Sequence, residues 1–288
     1  MKICALTMVY RDYWALSQWY AHYSRHLGPQ NLFVVAHGAD PKIHELCPGA
    51  SIITVPRDKF TEFDLFRGRL LNGFQAGLNE GYDWVIRTDV DELICLDPAR
   101  YQSYAELFEQ HPGRAQFSLG LNLAELPGDP ELKPGMLALQ HRQRALFSAH
   151  YSKAWAVRQR VGLRRHGIEI RPRHTEAYPF SVPRGVYLVH LKYANANALA
   201  ESDAHRMQVA SEPGHGTPGQ SWLKPDLRNR KFAERVRSLP LTNWDEAEPQ
   251  AYAQISGEPE RDRRIGVIRV RDVPLNLATD LPGWFRSA

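Results

Sequence analysis

Trp84-Val85-Ile86-Arg87-Thr88-Asp89-Val90-Asp91-Glu92-Leu93 is the stretch on which the reading of this chain turns. An apolar run of strand length leads into a polar turn that holds two aspartates one residue apart, and apolar Leu93-Ile94 follows at once. Unpaired carboxylates are costly inside apolar structure. Acids wedged between two apolar runs therefore belong at the end of a buried strand, facing a ligand. On a tight turn both aspartates can face one point. Hard oxygen donors at that spacing suit Mg2+ or Mn2+ held together with a substrate diphosphate, because such ions keep several ligand positions open. The same spacing on its own also occurs in solvated turns.

Upstream, Ile3 to Val9 reads as a strand without alternation, followed by a helix from Asp12, its N-cap, to His26. Leu32 to Ala36 and Ser51 to Val55 are further buried strands, the second closed by Pro56. From Glu62 to Asn79 the positions Phe63, Phe66, Leu70, Phe74 and Leu78 share one helical face, with Gly81 just past the end. Continuous apolar strands separated by helices predict an α/β fold, a nucleotide-binding sandwich whose central sheet is mostly parallel and covered on both faces. In such sheets ligands bind beyond the carboxyl ends of the strands, where Asp89 to Glu92 falls.

Downstream the spacing predicts a helix over Tyr101 to Gln110, one strand over Ala115 to Leu123, a Pro- and Gly-rich loop over Leu126 to Gly135, and strands over Met136 to Phe147, Ala154 to Val157 and Val186 to Leu191. A helix over Asn197 to Ala210 comes next, then a connection rich in Gly and Pro over Ser211 to Gln220, a helix over Arg228 to Ser238 and a strand over Arg264 to Arg271. The expected organisation is a main domain at residues 1–210 and a partly irregular C-terminal extension at 211–288, packed on or tethered to it.

The 288 residues are 43% hydrophobic and 24% charged, enough to bury a full core, which excludes a disordered tail, a fibre or a miniprotein. No run of 18 uncharged apolar residues occurs, so neither a membrane span nor an ordinary signal peptide is expected, and the chain is expected in the cytoplasm, with peripheral contact at the inner membrane face allowed. Cys4, Cys47 and Cys95 are odd in number and lack ligand spacing, which supports neither a disulfide framework nor structural zinc. The net charge of +4 hides a split: residues 1–138 carry 12 Lys and Arg against 17 Asp and Glu, whereas 139–288 carry 24 against 15. His141 to Arg184 alone holds ten basic residues against Glu169 and Glu176. Such a block meets an anionic ligand, a membrane face or nucleic acid, or is simply a solvated face.

The stretch around Asp89 and Asp91 resembles the strand and DxDE signature of the glycosyltransferase family 2-like enzymes of the GT-A fold. The opening Met8-Val9-Tyr10-Arg11-Asp12, then Trp19-Tyr20-Ala21-His22-Tyr23 and Leu27-Gly28, is similar to the family's first strand and helix. Tyr151-Ser152-Lys153 and Leu188-Val189-His190-Leu191-Lys192 look like the serine-lysine segment and terminal histidine strand of its bacterial, polysaccharide-type branch. The resemblance spans roughly residues 1–210. It implies a metal-dependent, inverting transfer of a sugar from a nucleotide-sugar donor, UDP-linked in the common case, to an acceptor hydroxyl on a glycan or glycoconjugate, with Mn2+ or Mg2+ as cofactor and no nucleic-acid partner. Asp89 would lie near the ribose or metal, Asp91 would be the principal metal ligand, and His190 would close the coordination. Thr7, Met8 and Val9 would line the nucleoside. Where the family commonly has an acidic cluster after the second strand, only Asp40 remains here, so the base it reads is open.

An inverting transfer needs a group to take the acceptor's proton; Glu125, Glu176 and Asp129 are the acids considered, with Glu125 and Glu176 ranked first and the surface role equally available to each. His166-Gly167 is a candidate for the floor of the site or a plain turn. Lys153, Arg158 and Arg160 are placed around one strand, where they could offset diphosphate charge. Arg164-Arg165 and Arg171-Pro172-Arg173 read as loop charges. Arg67 and Arg69 either reach donor phosphates or pair with Glu62 or Asp64 at the surface. Two other classes compete: a haloacid-dehalogenase-type phosphatase with Asp89 as nucleophile, and a non-enzymatic nucleic-acid binder using residues 141–184.

Overall fold

In the computed structural model, residues 1–57, 62–159, 161–211 and 224–288 are described. Strand β1 (Ile3–Val9) is followed by α1 (Tyr13–Leu27), β2 (Leu32–His37), α2 (Pro41–Leu46), β3 (Ser51–Val55), α3 (Phe63–Leu78) and β4 (Trp84–Arg87). These strands lie side by side as β3-β2-β1-β4, all parallel. β1 and β2 are buried along nearly their whole length, as strands covered on both faces must be, whereas β3, also expected to be buried, is the edge strand and only half-buried. The α/β class with a parallel-rich central sheet expected from the sequence is the architecture found. One helix not foreseen, α2, begins at the Asp40 N-cap, whose carboxylate accepts from Lys42 N at 3.0 Å.

After the Asp89 turn the chain enters β5 (Glu92–Leu96) and α4 (Tyr104–Gln110), then β6 (Ala115–Phe117) and β7 (Leu119–Ala124). The single strand expected over 115–123 is thus two, and they belong to different sheets: β6 borders the first, and β7 sits inside a second. The break falls at Ser118, between two buried aromatic and aliphatic runs that hydropathy cannot tell apart. The strand expected over 136–147 is likewise divided, into the short helix α5 (Ala138–His141) and β8 (Arg144–Ser148). Then come β9 (Ala154–Val157), the hairpin β10 (Gly162–Arg164) and β11 (Gly167–Glu169), β12 (Val186–Tyr193) and α6 (Ala196–Ser211). β9 is antiparallel to β4 and to β6, which completes the first sheet.

The chain closes with α7 (Pro225–Ser238), α8 (Trp244–Ile255), β13 (Glu260–Asp262), β14 (Val267–Arg269) and β15 (Ala278–Asp280). β15 pairs with β8 in the second sheet, ordered β15-β8-β7-β12-β5, and β14 pairs with β11 in a small third sheet. Residues beyond 210 therefore supply strands to sheets whose other members lie before it. The connection expected over 211–220 lies, after Ser211, outside the described residues, as does Arg160. Among the described residues no helix is long and apolar enough to cross a membrane. Cys4, Cys47 and Cys95 are buried free thiols.

The two larger sheets enclose one core. Trp19, Trp84 and Trp155 are fully buried, and Phe108 stacks on Trp84 at 4.2 Å and on Trp155 at 5.7 Å. A buried aromatic ring of this size removes roughly 150–250 Å² from water, worth about 4 to 6 kcal/mol at 25 cal/mol per Å². α1 presents Ala15, Leu16, Trp19, His22 and Tyr23 to this core as one helical stripe.

Candidate functional site

The Asp89–Asp91 turn joins β4 of the first sheet to β5 of the second, and several buried polar groups hold it from behind. Thr7 Oγ1 donates to Thr88 O at 3.0 Å, and Trp19 Nε1 donates to Thr88 Oγ1 at 2.9 Å. Tyr23 OH accepts from Ile94 N at 3.1 Å, just beyond the turn. Leu191 N donates to Asp91 O at 2.8 Å, which ties the turn to β12. Glu92, fully buried, accepts from Asp89 N at 3.0 Å. The aromatic residues of α1 therefore help to fix the turn as well as filling core.

The two aspartates have different surroundings. Asp89 is gripped by Arg67 from α3 on one oxygen and by Lys153 Nζ at 3.3 Å on the other. Lys153 also meets Glu92 at 2.7 Å. Burial alone would push the Asp89 carboxyl up, but Arg67 and Lys153 together hold it well below the usual carboxylate range. For Glu92 burial wins over Lys153, and its carboxyl is pushed up to about 7. One ammonium is shared between two acids, and the more exposed one takes the charge.

Asp91 instead faces His190, with Oδ2 3.1 Å from Nε2. On the other side of the ring, Nδ1 lies 2.8 Å from Asn122 Oδ1 on β7. A carbonyl oxygen can only accept, so Nδ1 carries the proton and a neutral ring turns its Nε2 lone pair toward the carboxylate. Two lone pairs at 3.1 Å need a proton or a cation between them. Burial pushes the Asp91 carboxyl up; with a proton on Nε2, the imidazolium charge and its hydrogen bond more than reverse this and leave the carboxyl below its ordinary value. Tyr151 stacks on the His190 ring at 3.8 Å and fixes its plane.

This donor set fits a hard divalent ion. A histidine whose second nitrogen is tied to a fixed acceptor is the usual support for a ligating imidazole, and an O···N separation near 3 Å matches adjacent ligands of an octahedral ion with bonds of about 2.1 Å. Among the described residues no group of three or more His, Cys, Asp or Glu is arranged to hold a metal ion. The protein would thus supply two ligands, Asp91 and His190, and leave the other positions to substrate and water.

These groups line a cavity of about 320 Å³ at the carboxyl ends of β1, β2 and β4. At its β1–β2–β3 end stands an aromatic and cationic wall that the sequence did not single out: Arg57 packs over the Tyr10 ring at 3.7 Å, Arg57 Nη1 meets His37 Nδ1 at 2.9 Å, and His37 stacks on Phe63 at 5.4 Å. Lys192, Arg206 and Arg228 line it as well. Asp12 also lines the cavity, and burial first, with the charge of Asp91 second, raises its carboxyl to about 6. A second cavity of about 720 Å³ lies behind Asp89, lined by Arg69, Arg87, Lys153 and the β10–β11 hairpin.

Of the residues expected at the site, Met8, Val9, Asp89, Asp91, His166 and His190 line the first cavity, and Arg69, Lys153 and again Asp89 and His166 the second. Thr7 is fully buried behind the turn. Asp40 is engaged away from the cavity, accepting from Tyr13 OH at 2.8 Å and capping α2. Neither expected base is in the cleft. Glu125 accepts from Ala196 N at 2.8 Å and pairs with buried Arg142 at 3.2 Å, a structural use of its charge. Glu176 is an exposed partner of Arg263 at 2.7 Å. Asp129 is held by Leu126 N and lies near Arg142.

Arg67, expected at Glu62 or Asp64 or at phosphates, goes to Asp89. The basic block of 141–184 is not one face: Arg142 is buried, Arg164 pairs with Glu169, Arg184 with Glu248, and Arg158 packs over the Trp84 ring at 5.7 Å. His166 donates from Nδ1 to His150 O at 2.7 Å, and with Arg165 it forms the hairpin turn at positive φ.

No family profile matches the chain, and no curated protein matches it in sequence. Solved structures that resemble it include a 4-diphosphocytidyl-2C-methyl-D-erythritol synthase, with 16% identity, TM-score 0.29, 49% of this chain and 66% of that one covered, so that the chain spans just under two thirds of that structure. A mannose-1-phosphate geranyltransferase from Thermus thermophilus gives 13% identity, TM-score 0.29 and coverage of 98% and 74%. A CMP:2-keto-3-deoxy-manno-octonic acid synthetase complexed with CTP gives 13%, 0.28, 81% and 87%. Likenesses at these scores carry no argument about activity.

Proposed function

We propose that the chain is a metal-dependent glycosyltransferase that moves a sugar from a nucleotide-sugar donor to an acceptor hydroxyl. The observation that carries this reading is the Asp91–His190 pair, backed by Asn122 and set at the end of a parallel sheet beside the Tyr10, His37, Arg57 and Phe63 wall. Aromatic faces and a guanidinium suit a nucleobase, and two ligands that leave a hard ion open suit its diphosphate.

Asp91 and His190 would hold Mn2+ or Mg2+, which when bound offsets charge on the departing nucleoside diphosphate. Asp89, neutralised by Arg67 and Lys153, keeps those two cations placed along the cleft floor. Asp12 takes the proton from the acceptor hydroxyl: it lines the same cavity, and a carboxyl held near 6 is ionised at neutral pH yet basic enough to accept a proton. This replaces Glu125 and Glu176, which lie outside the cleft.

A phosphatase using Asp89 as nucleophile is disfavoured, because both carboxylate oxygens are committed to cations. The test is thermal stabilisation by UDP with Mn2+, together with Mn2+-dependent donor hydrolysis or transfer, in the wild type and in Asp91→Ala. Stabilisation and turnover that survive in the variant would overturn the reading.

A further inference from the structure

The cleft holds cationic groups, on elements other than those of the aromatic wall, that the donor does not account for. Lys192 lies on β12 two residues beyond His190 and lines the same cavity. It is only 8% exposed, yet its Nζ makes no hydrogen bond. Its nearest carboxylate oxygen is Asp203 Oδ1, at 4.0 Å; that oxygen makes no hydrogen bond and also stands 3.6 Å from Arg206, while Oδ2 accepts from Asn229 at 2.7 Å. Asp12 and Asp91 share a small recess with Lys192, and neither accepts from it. Arg228 on α7 lines the same cavity, and its Nε is buried without a hydrogen-bond partner.

A buried ammonium without a hydrogen bond costs stability wherever no ligand completes it. From a separate element, α7, half-buried Arg228 brings one more buried nitrogen without a hydrogen bond to the same cavity. The strand order sets the rest: the aromatic wall belongs to β1, β2 and β3 of the first sheet, the Asp91 turn lies between the sheets, and Lys192 belongs to the second sheet. A donor with its base on the wall and its diphosphate at Asp91 and His190 leaves Lys192 and Arg228 to another anionic group.

We propose that Lys192 and Arg228 form a second anion-binding subsite, which takes a phosphate or carboxylate group other than the donor's diphosphate. The inference rests on the nucleotide-sugar reading above and extends it to the substrate class: the sugar acceptor, or the donated sugar itself, is acidic. Guanidinium and ammonium donors to an oxyanion make charge-assisted hydrogen bonds, which supply the partners these two atoms lack.

The test is a 31P NMR titration of the full chain with inorganic phosphate, with UDP and Mg2+ already saturating. Phosphate is expected to bind beside UDP, and Lys192→Met and Arg228→Gln are each expected to weaken it about tenfold or more while UDP affinity stays within about twofold. Displacement of phosphate by UDP, or unchanged phosphate affinity in both variants, would overturn the proposal. If Lys192→Met fails to fold by thermal melting, Arg228→Gln on the partly exposed helix decides. UDP-glucuronate compared with UDP-glucose separates the sources. A preference for the uronate that Arg228→Gln abolishes puts the acid on the donor sugar, and equal affinities with phosphate bound beside both put it on the acceptor. Phosphate binding by a wild type that fails to bind UDP would sink the donor reading and leave the subsite standing; UDP binding without phosphate binding would do the reverse.

Discussion

His190 Nε2 faces Asp91 Oδ2 at 3.1 Å while its Nδ1 is fixed by Asn122 Oδ1 at 2.8 Å. Asn122 lines neither cavity, so its effect on the metal would run entirely through the ring it orients. Asn122→Ala is expected to weaken Mn2+ binding about 10- to 100-fold, the range seen when an outer partner of a ligating histidine is lost. Isothermal titration with Mn2+ in the presence of UDP checks this, and an unchanged affinity would detach Asn122 from the metal site.

Asp12 links activity and stability in opposite directions. Its carboxyl is raised from 3.8 to about 6, so the neutral form is favoured in the folded state. That contribution is full below about 3.8 and is lost as pH rises through about 6. Asp12→Asn should therefore be more stable than wild type at pH 8, by about 1 to 2 kcal/mol, and no more stable at pH 4. As the proton acceptor, ionised Asp12 should also give wild-type kcat/KM a limb that falls below about pH 6, and the variant should lose turnover. Melts at both pH values and a pH–rate profile check the two halves separately.

The Tyr10 ring carries Arg57 on its face at 3.7 Å, and His37 joins Arg57 to Phe63. Tyr10→Ala removes the ring that holds the guanidinium in place. UDP affinity is expected to fall by about 1 to 3 kcal/mol, the cost of losing one base-stacking aromatic side chain, with Mn2+ affinity unaffected. Titration calorimetry with UDP measures the first and Mn2+ alone the second.

Gly120 on β7 admits no side chain: a Cβ there would lie 2.3 Å from Tyr151 C and 2.6 Å from Ser148 O, both backbone atoms. Gly120→Ala should cost about 3 kcal/mol by overpacking and displace Tyr151 from the His190 ring. Gly257→Ala, with open space around its Cβ, is the matched control. Chemical denaturation of both variants tests the contrast.

Much of the first sheet was legible in the amino-acid sequence, because β1 and β2 are almost wholly apolar, β3 is a short β-branched run closed by Pro56, and Asp89–Asp91 interrupts apolar structure at a strand end. The split at Ser118 was not, since β6 and β7 carry equally buried side chains and only their pairing partners differ. The proton acceptor proposed above was not legible either. Glu125 sits on a loop just as a base would, but Arg142 from α5's end and the start of α6 meet it there and use its charge. Asp12 read as the N-cap of α1, the position it does occupy, and nothing local marked it as lining the cavity.

The sequence by itself determined the α/β order, the strand-end position of Asp89 and Asp91, and the candidacy of His190, because hydrophobic period and interrupting charge are local properties of the chain. Only the tertiary structure decided how the charges are spent. Arg67 and Lys153 reach Asp89 from 22 and 64 residues away, and Asn122 reaches His190 from 68. Whether a carboxylate is a ligand, a base or half of an ion pair depends on which opposite charge and how much water lie beside it. That is fixed when the two sheets close over the turn.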